Sequence, residues 1–162
     1  MKSLIVYYSH TGNTKKVAEV LKTVLAEKGE ADIFRIEAED ESNNFLMQCI
    51  RAATKKRAAI KKAPLDVKEY DVICIGTPVW AFAPVPAINS YMDGVKNIKG
   101  KDTISFLTYG SGAGVEKCFK LMKNALKEKQ AFSQHSFKVQ QIKVDDEQYI
   151  KEAVGKVIRK AF

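Results

Sequence analysis

Residues 4–29 read LIVYYSHTGNTKKVAEVLKTVLAEKG, and their reading decides the fold. Ser3–Tyr8 is a nearly unbroken run of apolar, β-branched and aromatic residues, the composition of a strand buried on both faces. The period then changes. Val17, Val20, Leu21, Val24 and Leu25 recur at helical spacing, and Gly29 closes the segment. Between the two lies a polar turn, Ser9-His10-Thr11-Gly12-Asn13-Thr14.

The same switch of period recurs outward along the chain. Ala31–Ile36 is a short strand candidate with interleaved charges. Tyr70–Gly76 (YDVICIG) is a third, followed by Val85, Ile88, Met92 and Val95 on one helical stripe. Thr103–Tyr109 (TISFLTY) is a fourth, followed by Val115, Phe119, Met122 and Leu126. Phe137–Val144 is a fifth, more polar strand. The closing helix turns Ile150, Val154, Val157 and Ile158 inward, with Asp146 and Glu147 at its start and Arg159 and Lys160 at its end, as the helix dipole favours. Such alternation predicts α/β architecture: a parallel sheet, right-handed crossovers, helices on both faces. The first, third and fourth strands are almost wholly apolar and belong inside; the second and fifth carry charges or amides and belong at edges. The predicted fold is a three-layer α/β/α sandwich with a five-stranded parallel sheet of order 2-1-3-4-5. Residues 37–69 are too long for a plain crossover loop, and a weak apolar stripe predicts a helix from about Asn44 to Lys62, ended by Ala63-Pro64.

With 162 residues, the chain is read as a single domain, 1–162, that needs no disulfide or structural metal. Cys49, Cys74 and Cys118 form no Cys-x-x-Cys pair and are read as packing residues. No apolar run is long enough for a leader or a membrane span, and a cytoplasmic location is expected. The net charge of +8 invites a nucleic-acid reading, but Arg51, Lys55, Lys56, Arg57, Lys61 and Lys62 supply six of those eight charges from one acid-free segment. No aromatic platform interleaves them, so no nucleic-acid partner is expected.

In a parallel α/β sheet, ligands bind beyond the carboxyl ends of the strands, where the strand order reverses. Three unusual loops fall at those ends. In the first, Ser9, Thr11, Asn13 and Thr14 can hydrogen-bond and Gly12 permits close backbone approach, beside a helix start whose N–H groups lack internal partners. No Gly-x-x-x-x-Gly-Lys or Gly-x-Gly-x-x-Gly pattern is present, which disfavours ATP, GTP and NAD here. The second loop, Gly76 to Pro84, carries Thr77, Pro78, Val79, the only Trp of the chain (Trp80), Ala81 and Phe82. The third, Thr108-Tyr109-Gly110-Ser111-Gly112-Ala113-Gly114, offers a second aromatic plane and three backbone-exposing glycines. A helix cap, a core tryptophan and a flexible connection would explain each loop singly. One ligand explains all three: a terminal phosphate joined to a flat, partly polar ring, as in flavin mononucleotide (FMN).

At these loops (SHTGNT, GTPVW and TYGSGAG) the sequence resembles the flavodoxin family, and the likeness covers essentially the whole chain. The 2-1-3-4-5 order with FMN at the switch point is the standard flavodoxin arrangement. The resemblance implies noncovalent FMN, with the phosphate on Ser9, Thr11, Gly12, Asn13 and Thr14 and His10 nearby. It places the ring between Thr77, Pro78, Val79, Trp80, Ala81 and Phe82 on one side and Thr108, Tyr109, Gly110, Gly112, Ala113 and Gly114 on the other. It also implies redox partner proteins, a reductase and an electron acceptor. Short flavodoxins are typically acidic; this chain is basic, which points to partners with an acidic docking face or to a docking face away from the Arg51–Lys62 stretch. Many flavodoxins have a glycine after the position of Trp80, and Ala81-Phe82 predicts a stiffer turn. No metal site and no catalytic triad or carboxylate pair is evident, which suits an electron carrier. The alternative on the same scaffold is an FMN-dependent NAD(P)H:quinone or flavin oxidoreductase, with Arg51, Lys55 and Arg57 as candidates for a 2′-phosphate. The apolar Val79–Pro86 rim suits a monomer or a weak homodimer.

Overall fold

The structure is a computed structural model that describes residues 1–39 and 57–161. The elements follow in the order β1 (Lys2–Tyr7), α1 (Asn13–Ala26), β2 (Glu30–Arg35), β3 (Val72–Trp80), β4 (Ala83–Pro84), α2 (Pro86–Gly94), β5 (Asp102–Tyr109), α3 (Val115–Glu128), β6 (Ser133–Gln140) and α4 (Glu147–Ala161). The strands lie side by side as β2-β1-β3-β5-β6, all parallel, with the two-residue β4 folded back antiparallel on β3. Counting the five parallel strands alone, the order is 2-1-3-4-5, as read from strand composition.

Alternation along each strand sends side chains to two cores. Leu4, Val6, Ile73, Ile75 and Leu107 face α2 and α3, meeting Ile88, Tyr91, Cys118 and Met122. Ile5, Tyr7, Cys74, Ile104 and Phe106 face α1 and α4, meeting Val17, Leu21, Ile150 and Val154. Helices therefore cover both faces, which is why the central strands show no polar alternation. Gly76 is a packing requirement: a Cβ there would stand 2.1 Å from the ring of Phe106, its cross-strand neighbour.

Three expected boundaries move. The third strand, expected over Tyr70–Gly76, is Val72–Trp80 and runs on into the second loop. The fifth parallel strand is Ser133–Gln140, not Phe137–Val144; a short 3₁₀ turn, Gln141–Lys143, follows it. Only Phe137 and Val139 of this strand are fully inward, while Ile142, whose apolarity suggested a longer strand, is 74% exposed. His135, ahead of the expected strand, lies within the observed one, half-buried, with Nε2 2.7 Å from Ser133 Oγ. The helix expected over residues 44–62 falls mostly outside the described residues, and its described end, 57–62, is not helical. There the chain runs antiparallel to residues 37–39: Glu39 N–H donates to Ala59 O (2.8 Å) and Lys61 N–H to Glu37 O (3.0 Å). Two of the three basic side chains described here carry ion pairs, Lys61 with Glu37 at 2.8 Å and Arg57 with Asp93. Arg51, Lys55 and Cys49 lie outside the described residues.

Among the described residues no helix is long and apolar enough to cross a membrane, and no three His, Cys, Asp or Glu side chains gather as a metal site. Cys74 and Cys118 are fully buried, and burial pushes both thiols up, that of Cys118 to about 12. The thiolate is the reacting species, so neither should react with Ellman's reagent until the protein is denatured. Modification of either in the folded protein would show that the β3 or α3 packing opens.

Candidate functional site

The carboxyl ends of β1, β3 and β5 converge on a cleft of about 340 Å³, within the range of small-molecule sites. Loop one contributes His10, Thr11, Asn13 and Thr14; the β3 end contributes Pro78, Val79 and Trp80; the β5 end contributes Thr108, Tyr109, Gly110 and Ser111. Gln141, from the turn after β6, closes the far side.

Loop one presents a helix start whose own capping residue has no side chain, and among the described residues only the Lys15 N–H of the first N–H groups is taken by a side chain, Ser9 Oγ. Gly12 is the residue before α1, in the left-handed region (φ 89°), and it supplies no side chain to the helix N–H groups; no acid lies in the first turn. Nothing stands within 4 Å of where a Gly12 Cβ would lie, so its conformation requires glycine and the space beside it stays open for an approaching group. The loop is held from behind. Ser9 is buried, its Oγ accepts from Lys15 N–H at 3.3 Å, and Arg35 donates to Ser9 O at 2.9 Å. Thr14 Oγ1 and Thr108 Oγ1 share a buried hydrogen bond of 2.8 Å, which locks loop one to the β5 end. Lys16 and Lys15 are engaged by Asp145 (2.5 Å) and Glu19 (3.7 Å).

Loop two is an ordered hairpin. β3 runs past Gly76, where its pairing with β1 ends, and stays paired with β5 as far as Pro78 opposite Thr108. Pro78 is tolerated because one side of β3 is already an edge at that level. The chain then reverses through Ala81 and Phe82, with Val79 opposite Pro84 and Trp80 opposite Ala83. Both turn residues have positive φ, 46° and 66°, the signature of a type I′ turn that usually takes Asn-Gly. Ala81→Asn should therefore raise stability by about 0.5–1 kcal/mol, read as a higher urea midpoint; an unchanged or lower midpoint would show that Ala81 carries no strain. Thr77 is spent inside this hairpin: Val85 N–H donates to its Oγ1 at 3.2 Å, and that hydroxyl donates to Pro78 O at 2.9 Å.

Trp80 is 6% exposed, its ring meeting Tyr8 edge to face (5.6 Å between centroids, 81°) and His10 likewise (5.8 Å, 80°). Phe82 points away from the cleft, half exposed, against Gly114 and under Lys117. Of the residues assigned to the cofactor from sequence, the cleft gathers ten: His10, Thr11, Asn13, Thr14, Pro78, Val79, Trp80, Thr108, Tyr109 and Gly110. Ser9, Gly12, Thr77, Ala81, Phe82, Gly112, Ala113 and Gly114 shape the loops around it without lining it. Sequence reading missed Ser111 and Gln141 as site residues. Gln141 was hidden by the misplaced fifth strand; the signal was topological, because β6 neighbours β5 and its end must lie beside the same cleft. Gln140 reinforces that neighbourhood by donating from Nε2 to Gly110 O at 3.0 Å.

The cleft lies at the switch point of the strand order, between β1 and β3. A family model described as Flavodoxin matches residues 2–151, and the chain belongs to that family. No curated protein matches it. Among solved structures, a flavoprotein of Lactobacillus acidophilus in complex with FMN shares 22% identity and a TM-score of 0.64, over 91% of this chain and 98% of that one. Flavodoxin 2 of Bacillus cereus, in its oxidised form, shares 18% identity and a TM-score of 0.65 over 99% of each chain. The apo form of an NADH:FMN oxidoreductase shares 15% identity and a TM-score of 0.67, over 100% of this chain and 91% of that one. Identities this low establish the fold.

Proposed function

We propose that the chain binds FMN noncovalently in this cleft and serves as an electron carrier between redox proteins. The observation that carries the reading is the start of α1 at Gly12, where the N–H groups of Asn13 and Thr14 meet no capping side chain among the described residues, facing one end of a cleft whose other walls are Trp80 and Tyr109. The residues fit the group. Thr11, Asn13 and Thr14 with the first N–H groups of α1 form a cradle for a phosphate dianion, and the helix dipole favours negative charge there. Pro78, Val79, Trp80 and Tyr109 supply flat, largely apolar walls that exclude water from a ring system. Gly110 and Gln141 bring hydrogen-bonding groups to the ring edge. The bound flavin would supply reversible electron acceptance, while the protein sets orientation and local charge. The family's relatives fit the same reading: one of the neighbouring structures holds FMN.

Its redox partners would present acidic faces to this chain, whose net charge is +8. Titration of apoprotein with FMN, followed through the emission of the only tryptophan, tests the cofactor. FMN should quench it with an affinity roughly a hundredfold above that of riboflavin, the margin set by the phosphate cradle. Equal affinities, or no quenching by FMN, would overturn the assignment. The pure holoprotein should not sustain NAD(P)H oxidation with a quinone unless a separate reductase is present; turnover by the protein alone would make it an oxidoreductase instead.

A further inference from the structure

The sheet ends at β6, whose carboxyl end reaches the cleft while the rest of the strand runs away from it. The inner side of β6 pairs with β5 from Ser133 to Gln140, and no described strand covers its outer side. An open edge is a row of main-chain donors and acceptors without partners, and proteins normally shield such a row with strand lysines, a proline, a bulge or an overlying loop. β6 has no proline, and its one lysine, Lys138, is held by Glu116 of α3 at 2.9 Å.

Grooves flank the strand on both faces. The larger, about 640 Å³, runs between β6 and α4, with Tyr149, Lys156 and Lys160 on its far side. The smaller, about 230 Å³, runs toward α3, with Phe119, Lys120 and Lys123. At the two ends of the strand large apolar side chains stand in water, Phe132 80% exposed before it and Ile142 74% exposed after it. An open ladder flanked by side-chain grooves is the geometry with which sheets accept an extended peptide: main-chain bonds supply affinity, and pockets for alternate side chains supply selection.

Charge chooses the occupant. Five lysines border the grooves (Lys120, Lys123, Lys138, Lys156, Lys160) against two carboxylates, of which Glu116 is bound to Lys138. The four helix lysines have no carboxylate partner among the described residues. Because those four stand on the flanking helices, they leave the main-chain row of β6 accessible. A second copy laid on this edge would bring lysines against lysines, whereas an acidic segment would meet unpaired cations on both sides. We propose that the outer edge of β6 is a docking site for an acidic, extended segment of a partner protein, which adds to the sheet as a further strand.

The probes are two capped octapeptides, one alternating glutamate with valine and one alternating lysine with valine, titrated into the full-length protein. The acidic peptide should bind, slow hydrogen exchange at the amides of β6, and move amide resonances of Ser133–Gln140 together with those of the facing α3 and α4 surfaces. The lysine peptide should bind at least roughly tenfold more weakly, and about 0.5 M salt should weaken the acidic one. Lys156→Glu with Lys160→Glu, and separately Lys120→Glu with Lys123→Glu, should each weaken the acidic peptide about tenfold while the thermal midpoint stays unchanged. Equal binding of the two peptides, shifts confined to the cleft, or no slowing at β6 would overturn the proposal. A concentration-dependent dimer that protects β6 in the absence of peptide would also overturn it, by assigning the edge to a second copy.

Discussion

Replacing Trp80 by alanine is expected to cost the apoprotein about 3–5 kcal/mol, the range for truncating a buried large aromatic. That is a large part of the roughly 5–15 kcal/mol typical of a domain. The reason is that Trp80 belongs to the core before it belongs to the cleft. It is 6% exposed, packs edge to face on Tyr8, and lies in the cluster built by β1, β3, α2 and α3. The ring also braces His10 of loop one, so its removal should loosen the phosphate cradle as well as the ring wall. Chemical denaturation of apo Trp80→Ala should show a much lower midpoint, and FMN affinity should fall with it. Trp80→Phe should recover most of the stability, because an aromatic ring still meets Tyr8. Weakened FMN binding with an unchanged apoprotein midpoint would contradict the core role.

The second large effect is at Gly114. Its φ is +82°, and a Cβ there would stand 2.2 Å from the Phe82 ring and 2.6 Å from the Phe82 main chain. The first cost, a side chain in left-handed backbone, is about 1–2 kcal/mol. The second, a clash that includes main chain, is about 1–3 kcal/mol. Together Gly114→Ala should cost on the order of 3 kcal/mol, measured as a shift of the urea midpoint. Gly12→Ala isolates the first cost: φ is +89° there, but the space is empty, so it should lose only about 1–2 kcal/mol of stability. Phe82→Ala placed in the Gly114→Ala background should restore part of the loss, since the ring is removed while the main-chain clash remains. Equal costs at Gly12 and Gly114 would show that Phe82 yields freely.

The contrast between the central and outer strands explains what was legible in the amino-acid order. β1, β3 and β5 are covered on both faces, so burial forces nearly unbroken apolar runs such as Leu4-Ile5-Val6 and Val72 to Ile75, and these runs set strand number and order. β6 is half wet: Ser133, Gln134, Ser136 and Lys138 carry no strand signal, and Ile142 carries a false one because it stands in water. The first loop was legible because glycine and a string of hydroxyls and amides at a strand end have few other uses. The hairpin of β3 and β4 was not: Pro78 reads as a strand breaker, and Ala81-Phe82 lacks the Asn-Gly that announces a type I′ turn. Only the end of the β1 pairing at Gly76 makes a proline acceptable, and that is a property of three strands together. Both aromatics of the loop were assigned to the cofactor, yet the reversal sends Trp80 into the core and Phe82 against Gly114.

The β3 extension bears on how a ligand enters. Along this wall of the cleft Thr77 and Pro78 are laddered to β5, Val79 and Trp80 pair back with Pro84 and Ala83 of β4, and Thr77 Oγ1 accepts from Val85 N–H. Such a wall is a strut, not a door. Stopped-flow association with FMN should therefore give a single phase whose rate climbs linearly with ligand concentration, without the plateau that a gating isomerisation imposes.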